Sequence, residues 1–310
     1  MEDLERAAAA IGIGVDVVDF RGLRARIGEE RARSLEGRPA SSASDTCEAV
    51  DAVGPRGIDL STADAVLVRA MPAGSLEQVV FRMDALHALA ARGVHVVNGP
   101  RALEAAIDKY LSLCRLEIAG VPVPPTLACE SVAGIETAFD ELDGDVVIKP
   151  LFGSEGRGLE RCRSRRELRD AARRAVAEHR VVYVQRFIDH GGEDLRVFVL
   201  GDESLGSMRR VAPHGGWVTN VAQGGIPSPV KPDAAMIELA LRAARAVEAE
   251  IAGVDIVRDG AARPYVLEVN AVPGWRALAP VCGVDVADRI VRHATRHRAP
   301  QAARCATEVC

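Results

Sequence analysis

Apolar positions along the chain recur with two periods. Runs at 15–20, 65–69 and 94–98 are short and valine-rich, as strands are, while 3–10 and 75–92 carry the spacing of helices. Strands alternating with helices predict a parallel α/β sheet in this part of the chain. Such a sheet usually opens on a strand, whereas this chain opens on a helix. The first strand is therefore expected to be absent or shortened, or to lie upstream of Met1, and an upstream start is the preferred reading. A polar stretch rich in Ser and Gly, from Gly28 to Asp45, reads as a loop or a poorly ordered insertion.

Asn98-Gly99-Pro100 interrupts the pattern and begins a new unit. Beyond it the pattern predicts a helix over 101–119, a proline-rich connection at 121–125, a strand at 126–128, a helix over 131–141 and a strand over 145–149. A glycine-rich loop, a helix over 164–179 and a strand over 181–185 follow. Glycine-punctuated runs at 195–200, 204–211 and 216–221 predict short antiparallel strands. A long helix over 233–252 precedes two apolar strands, 254–256 and 266–270. The expected organisation is an amino-terminal domain (1–98), a central subdomain with the glycine loop (99–185), a carboxy-terminal subdomain (186–298) and a tail (299–310). Cys305 and Cys310 in that tail are given no role.

Composition narrows the function classes. The net charge of −5 argues against general nucleic-acid binding, and the arginines between Arg161 and Arg174 read as a solvated helix face. Seven cysteines without a CxxC pair fit a reducing cytoplasm better than a disulfide framework. No apolar run reaches the ~20 residues of a membrane span, and the acidic, helical start is unlike a signal peptide. A cytoplasmic location with no nucleic-acid or membrane partner is expected.

The chemistry concentrates in a few places. On the strand Val266-Leu267-Glu268-Val269-Asn270, Glu268 and Asn270 point to the same face, and Asp255 lies in the apolar run just before. Acidic residues inside apolar strands need a partner. These three oxygen donors suit a hard cation such as Mg²⁺. Lys149 ends an apolar strand and precedes Gly153-Ser154-Glu155-Gly156-Arg157-Gly158, a loop whose backbone could approach phosphate. The spacing is not that of a Walker A loop, and alone it reads more readily as an ordinary turn. Lys109 alone reads as a surface lysine. Gln185 to Ile188 could meet an adenine edge or simply end a buried strand, and Arg196 and Arg209 could face a phosphate or solvent. His293 and His297, four apart on a helix, have no further ligands near and read as helix-surface residues.

Taken together, Asp108-Lys109, Val147-Ile148-Lys149-Pro150 with its glycine loop, Gln185-Arg186-Phe187-Ile188, Asp194-Leu195-Arg196, Val254-Asp255-Ile256 and Leu267-Glu268-Val269-Asn270 resemble, in order, the motifs of ATP-grasp ligases. The nearest resemblance is to the RimK/LysX group of ATP-dependent glutamate ligases, over about residues 60–298. Within it, the segment from Val68 to Gln78 and the ending Pro273-Gly274-Trp275-Arg276-Ala277-Leu278 resemble the branch linked to tetrahydromethanopterin-type cofactors, which adds glutamate to the pterin's carboxylate tail.

The resemblance implies an ATP-grasp fold behind an amino-terminal parallel α/β pre-ATP-grasp domain. It also implies roles. Lys109 and Lys149, with Gly153, Ser154, Gly156 and Gly158, would hold the ATP phosphates. Gln185, Arg186, Phe187 and Ile188 would hold adenine, and Asp194 and Asn220 complete the nucleotide site. Asp255, Glu268 and Asn270 would hold Mg²⁺, for which Mn²⁺ could substitute, and Arg196 and Arg209 would stabilise charge during transfer. The implied reaction joins a carboxylate-bearing acceptor to glutamate through an acylphosphate, in an enzyme expected to be a homo-oligomer. Two other readings stand beside it: an ATP-binding regulatory protein without turnover, and a ligase that modifies a protein C-terminus or a carrier protein. Arg157, a bulky cation inside the glycine loop, departs from the expected pattern, as does the first strand.

Overall fold

The computed structural model describes residues 2–27, 49–52, 57–150, 156–296 and 306–309. The valine-rich runs and amphipathic stretches form, in order, α1 (Glu2–Ala10), β1 (Val15–Val18), β2 (Leu23–Arg26), β3 (Ala49–Ala52), β4 (Ile58–Asp59), β5 (Ala65–Val68), α2 (Leu76–Ala91) and β6 (His95–Val97). The chain continues through α3 (Pro100–Ile107), α4 (Lys109–Ile118), β7 (Thr126–Cys129), α5 (Val132–Glu141), β8 (Val146–Pro150), β9 (Glu160–Cys162), α6 (Arg165–Ala177) and β10 (Val182–Arg186). Then come β11 (Glu193–Leu200), β12 (Glu203–Val211), β13 (Ile226–Pro229), α7 (Ala234–Ala246), β14 (Ile251–Arg258), β15 (Pro264–Asn270), α8 (Leu278–Cys282), α9 (Val286–Thr295) and β16 (Ala306–Val309). Two compact units result: Met1–Pro100 together with Ala287–Cys310, and Arg101–Val286. No described helix is long and apolar enough to cross a membrane.

The first unit holds a parallel sheet of order β1-β16-β5-β6. Its helix α2 starts on a capping box, in which Ser75 Oγ accepts from Gln78 N and Gln78 Oε1 accepts from Ser75 N. Strand β16 lies between β1 and β5 and runs parallel to both, with Ala306 beside Val15 and Thr307 beside Val66. A segment expected to be a tail therefore supplies an inner strand of the amino-terminal sheet. The unit also contains a small antiparallel sheet, β2-β3-β4, that the sequence pattern did not suggest. His293 on α9 is 8% exposed, so it belongs to the buried stripe beside Ile290 and Ala294 and not to the helix surface. His297, the whole 28–45 stretch, Cys305 and Cys310 lie outside the described residues.

The second unit contains two antiparallel sheets, β7-β10-β8-β9 and β13-β12-β11-β14-β15. Ile135 and Phe139 of α5 and Leu168 and Ala172 of α6 bury against Val146, Ile148, Val182 and Val184 of the first sheet. In the second sheet Val197, Val254 and Val269 form a buried cross-strand row. The row beside it, Arg196, Asp255 and Glu268, points to the opposite face.

Three predicted elements differ. The helix over 101–119 is split at Asp108, whose extended backbone ends α3 and caps α4. Residues 216–220 form no strand, because Thr219 is drawn into a side-chain bond with Asp194 and a short 3₁₀ turn, Val221–Gln223, follows. The helix over 233–252 stops at Ala246, and the residues after it enter a longer strand, β14.

Candidate active site

A cleft opens in the second unit, lined from both of its antiparallel sheets by Val147, Lys149 and Gln185 on one side and Asp194, Arg210 and Asp255 on the other. Lys109 reaches it because of the break at Asp108. The Asp108 carboxylate accepts from the backbone N–H of Tyr110 (2.8 Å) and Leu111 (3.1 Å), so Lys109 becomes the first residue of α4 instead of an interior one. Lys149, near the end of β8, lines the same cleft. Burial lowers both ammonium groups, that of Lys149 to about 8 with Lys109 adding to the effect, while Glu268 opposes the shift at each. Two buried ammonium groups, one lowering the other, form a site that gains from an anion.

At the end of β10 the predicted hinge is held rigidly. Gln185 is buried and donates to Thr126 Oγ1 (2.8 Å), Arg186 N donates to the Pro125 carbonyl (2.9 Å) and Phe187 N to that of Asp145 (2.9 Å). The Asp145 carboxylate in turn receives Nε (2.8 Å) and Nη2 (2.5 Å) of Arg161, whose guanidinium lies 3.3 Å above the Phe187 ring centre. Arg161 is thus on β9 as part of the hinge support, not on a solvated helix face as its sequence context suggested. Trp217 meets Phe187 edge-on, with ring centres 5.9 Å apart. Val147, Ile188 and Leu267 complete the apolar lining, and Arg186 pairs with Asp143 (2.8 Å) at the rim. The result is a slot with apolar walls and a backbone edge, a form that suits a purine base.

Gly156 and Gly158 both have φ +72°, a left-handed conformation that glycine adopts without strain. They flank the exposed Arg157, which lines the cleft. Gly156 also needs to be small: a Cβ there would lie 2.6 Å from Asn220 Oδ1 and 3.1 Å from Val218 Cγ1. The loop end therefore sits against the Val218–Asn220 segment. Gly158 does not face the cleft, and Gly153 and Ser154 lie outside the described residues.

The remaining charged groups are set by strand register. Asp194 and Arg196 share one face of β11; Arg210 of β12 is opposite Asp194, Asp255 of β14 is opposite Arg196, and Glu268 of β15 is opposite Asp255. Arg196 grips Asp255 through Nε and Nη2, both at 2.6 Å. Arg210 donates Nε (2.7 Å) and Nη2 to Asp194 and reaches Asp255 Oδ2 at 2.9 Å. Burial disfavours the charge of Asp255, and the two guanidiniums outweigh it and hold the carboxyl well below the usual range. Arg209 requires a correction. It is exposed on the other face, 3.4 Å from Glu193 and Ser228, and its neighbour Arg210 is the one that turns inward.

A divalent cation would meet oxygen donors here. Asp255 and Glu268 are cross-strand partners that line the cleft, and Asn270, two residues beyond Glu268, already accepts from Val272 N (2.8 Å). Asp255 Oδ1 has one guanidinium donor and so retains a lone pair, and Glu268 lies beside both lysines. This donor set fits Mg²⁺. Among the described residues there is no cluster of three or more His, Cys, Asp or Glu. Lys109, Lys149, Arg157, Arg186 and Arg210 outnumber Asp194, Asp255 and Glu268 in the lining, the balance expected for a polyanion.

Arg210, Thr219, Trp217 and Arg161 escaped the sequence reading. For Arg210 the signal was partial: strand alternation permits only one of two adjacent arginines to face Asp194, and pairing with β11 decides which.

Comparison with known proteins agrees with this geometry. Residues 106–294 match the RimK-like ATP-grasp domain. The chain is 34% identical over 262 residues to a tetrahydromethanopterin:α-L-glutamate ligase of Methanosarcina acetivorans, covering 76% of this chain and 80% of that protein. It is 34% identical over 210 residues to a probable α-L-glutamate ligase of Thioalkalivibrio sulfidiphilus, covering 67% of this chain and 69% of that one. The fold is similar to that of the ATP-grasp ligase PsnB complexed with a phosphomimetic variant of its minimal precursor, Mg and ADP, with a TM-score of 0.67 at 22% identity over 95% of this chain and 93% of that one.

Proposed function

The chain belongs to the RimK-like ATP-grasp family and is an ATP-grasp ligase, and on that premise we propose that it joins L-glutamate to the carboxylate of a small, pterin-type acceptor. The observation that carries this reading is the meeting of Lys109, Lys149, Asp255 and Glu268 in one cleft beside a rigid apolar slot. The slot takes adenine, with the hinge backbone along its edge. Lys109 and Lys149 draw the phosphates inward, and Arg157 approaches from the loop. Asp255, Glu268 and Asn270 would hold Mg²⁺, which when bound would supply charge neutralisation beside the phosphates. The acceptor carboxylate attacks the γ-phosphate, giving ADP and an acylphosphate, and the glutamate amine then displaces phosphate to form the amide. Arg196 and Arg210, fixed by Asp255 and Asp194, stand where negative charge accumulates, so little reorganisation accompanies the step.

The choice of glutamate and a pterin-type acceptor is supported by the similarity to the tetrahydromethanopterin:α-L-glutamate ligase that spans most of the chain. The test is product analysis. Incubation with ATP, Mg²⁺, L-glutamate and a tetrahydromethanopterin-type acceptor is expected to release ADP and yield a species heavier by one glutamyl residue. Release of AMP would overturn the acylphosphate route. ADP formation with some other carboxylate, and none with the pterin, would overturn the acceptor alone.

A further inference from the structure

Asp194 is expected by resemblance to touch the nucleotide, yet protein donors occupy both of its oxygens. Oδ1 accepts from Arg210 Nε (2.7 Å), and Oδ2 accepts from Arg210 Nη2 and from Thr219 Oγ1 (2.6 Å). The residue is 5% exposed and Arg210 1% exposed, so the pair is buried although both residues line the cleft. The same Arg210 Nη2 reaches Asp255 Oδ2 at 2.9 Å, and Asp255 is also gripped by Arg196. Asp255 is therefore in contact with two guanidiniums, one of them shared with a second carboxylate. At the other end, Thr219 precedes Asn220, the residue against which Gly156 packs.

We propose that Asp194 is a positioning residue that tunes the divalent-cation affinity of Asp255 by sharing the charge of Arg210. The proposal rests on the reading of Asp255 and Glu268 as metal carboxylates. While Asp194 is ionised, Arg210 is neutralised mainly by it, and Asp255 retains enough negative charge to hold a cation against Arg196. Remove the Asp194 charge and keep its shape, and two guanidiniums act on one carboxylate. Cation binding then weakens. Remove the Arg210 charge instead, and Asp255 has one cation fewer beside it and binds metal more tightly. A residue that only supported the fold would give the same sign in both cases.

The experiment is Mn²⁺ titration of the full chain without nucleotide, followed by electron paramagnetic resonance of the free ion, for wild type, Asp194→Asn, Arg210→Gln and Thr219→Val. Each variant is first checked by circular dichroism. Loss of a unit charge a few ångströms from the ligand should weaken Mn²⁺ binding by about tenfold in Asp194→Asn and strengthen it severalfold in Arg210→Gln. Thr219→Val, which removes a bond to Asp194 and no charge, should stay within about twofold of wild type. Asp194→Asn binding Mn²⁺ like wild type, or like Thr219→Val, would overturn the proposal even if Arg210→Gln did not fold. So would equal weakening in Asp194→Asn and Arg210→Gln. Wild type that binds ADP but takes up no Mn²⁺ beyond free Mn–ADP, whether the nucleotide is absent or saturating, would overturn the metal-carboxylate premise instead, a result distinct from either.

Discussion

Arg209 and Arg210 are adjacent in sequence and lie on opposite faces of one sheet, Arg210 buried against Asp194 and Asp255 and Arg209 exposed beside Glu193. Exposed pairs contribute little, about 0–1 kcal/mol, whereas loss of one partner from a buried pair costs about 3–5 kcal/mol. Arg209→Ala should therefore keep ADP formation within about twofold of wild type. Arg210→Ala should lower the unfolding free energy by about 3–5 kcal/mol and remove most of the turnover. Urea denaturation and a coupled ADP assay measure both. Equal effects from the two substitutions would mean that the strand register is wrong.

Lys149 carries a pH dependence whose sign can be worked out. Its ammonium is held at about 8 by burial, with Lys109 assisting, so it is charged below that value and neutral above it. Phosphate binding needs the charge. ADP affinity should be level at lower pH and fall as pH rises past about 8, by up to about tenfold per unit. Lys149→Arg should flatten the profile. Stability moves the other way: the unfolded chain holds the proton up to the ordinary lysine value of 10.5, so between about 8 and 10.5 the nucleotide-free protein becomes more stable as pH rises. Calorimetric titration with ADP across this range is the check, and constant affinity above about pH 9 would contradict it.

The loop glycines separate backbone strain from fit. Gly156→Ala and Gly158→Ala both place a side chain at φ +72°, costing about 1–2 kcal/mol each. Only at residue 156 does the new methyl collide, with Asn220 Oδ1 2.6 Å away, whereas at 158 its nearest neighbour is Pro150 Cγ at 3.5 Å. Gly156→Ala should raise the KM for ATP by at least about tenfold more than Gly158→Ala does. Steady-state kinetics of the two variants decide, and indistinguishable KM values would rule out the seat on Asn220.

Asp108→Ala should combine a small loss of stability with a larger loss of binding. Its carboxylate caps two N–H groups of α4, a contribution of about 1 kcal/mol, and sets Lys109 at the helix start. A fall in melting temperature of a few degrees is expected, with ADP binding weakened severalfold. If melting drops and ADP affinity is unchanged, the cap does not position Lys109.

Much of the cleft was legible because its residues sit in strands with strong local signatures. Glu268, embedded in Val266–Asn270, could be assigned to a strand from its neighbours alone, and Lys149 likewise from Val146–Ile148. What escaped depends on partners distant in sequence. Trp217-Val218-Thr219 has the composition of a strand, but Thr219 bonds to Asp194, 25 residues away, and the segment follows that bond. The inward choice of Arg210 over Arg209 is fixed by pairing with β11, which a local window does not contain. Asp108 is of a residue type that caps helices, but the apolar spacing continues across it and favours one uninterrupted helix.

Strand β16 places residue 306 beside residue 15 and residue 307 beside residue 66. During synthesis at about 5–20 residues per second, the amino-terminal strands emerge many seconds before the strand that lies between them. The second unit can complete its sheets in that interval, while β1 and β5 wait with unpaired edges. Pairing across so wide a sequence separation is slow to form. The unit made first is therefore the unit finished last, and its exposed edges in the meantime are where a chaperone would act.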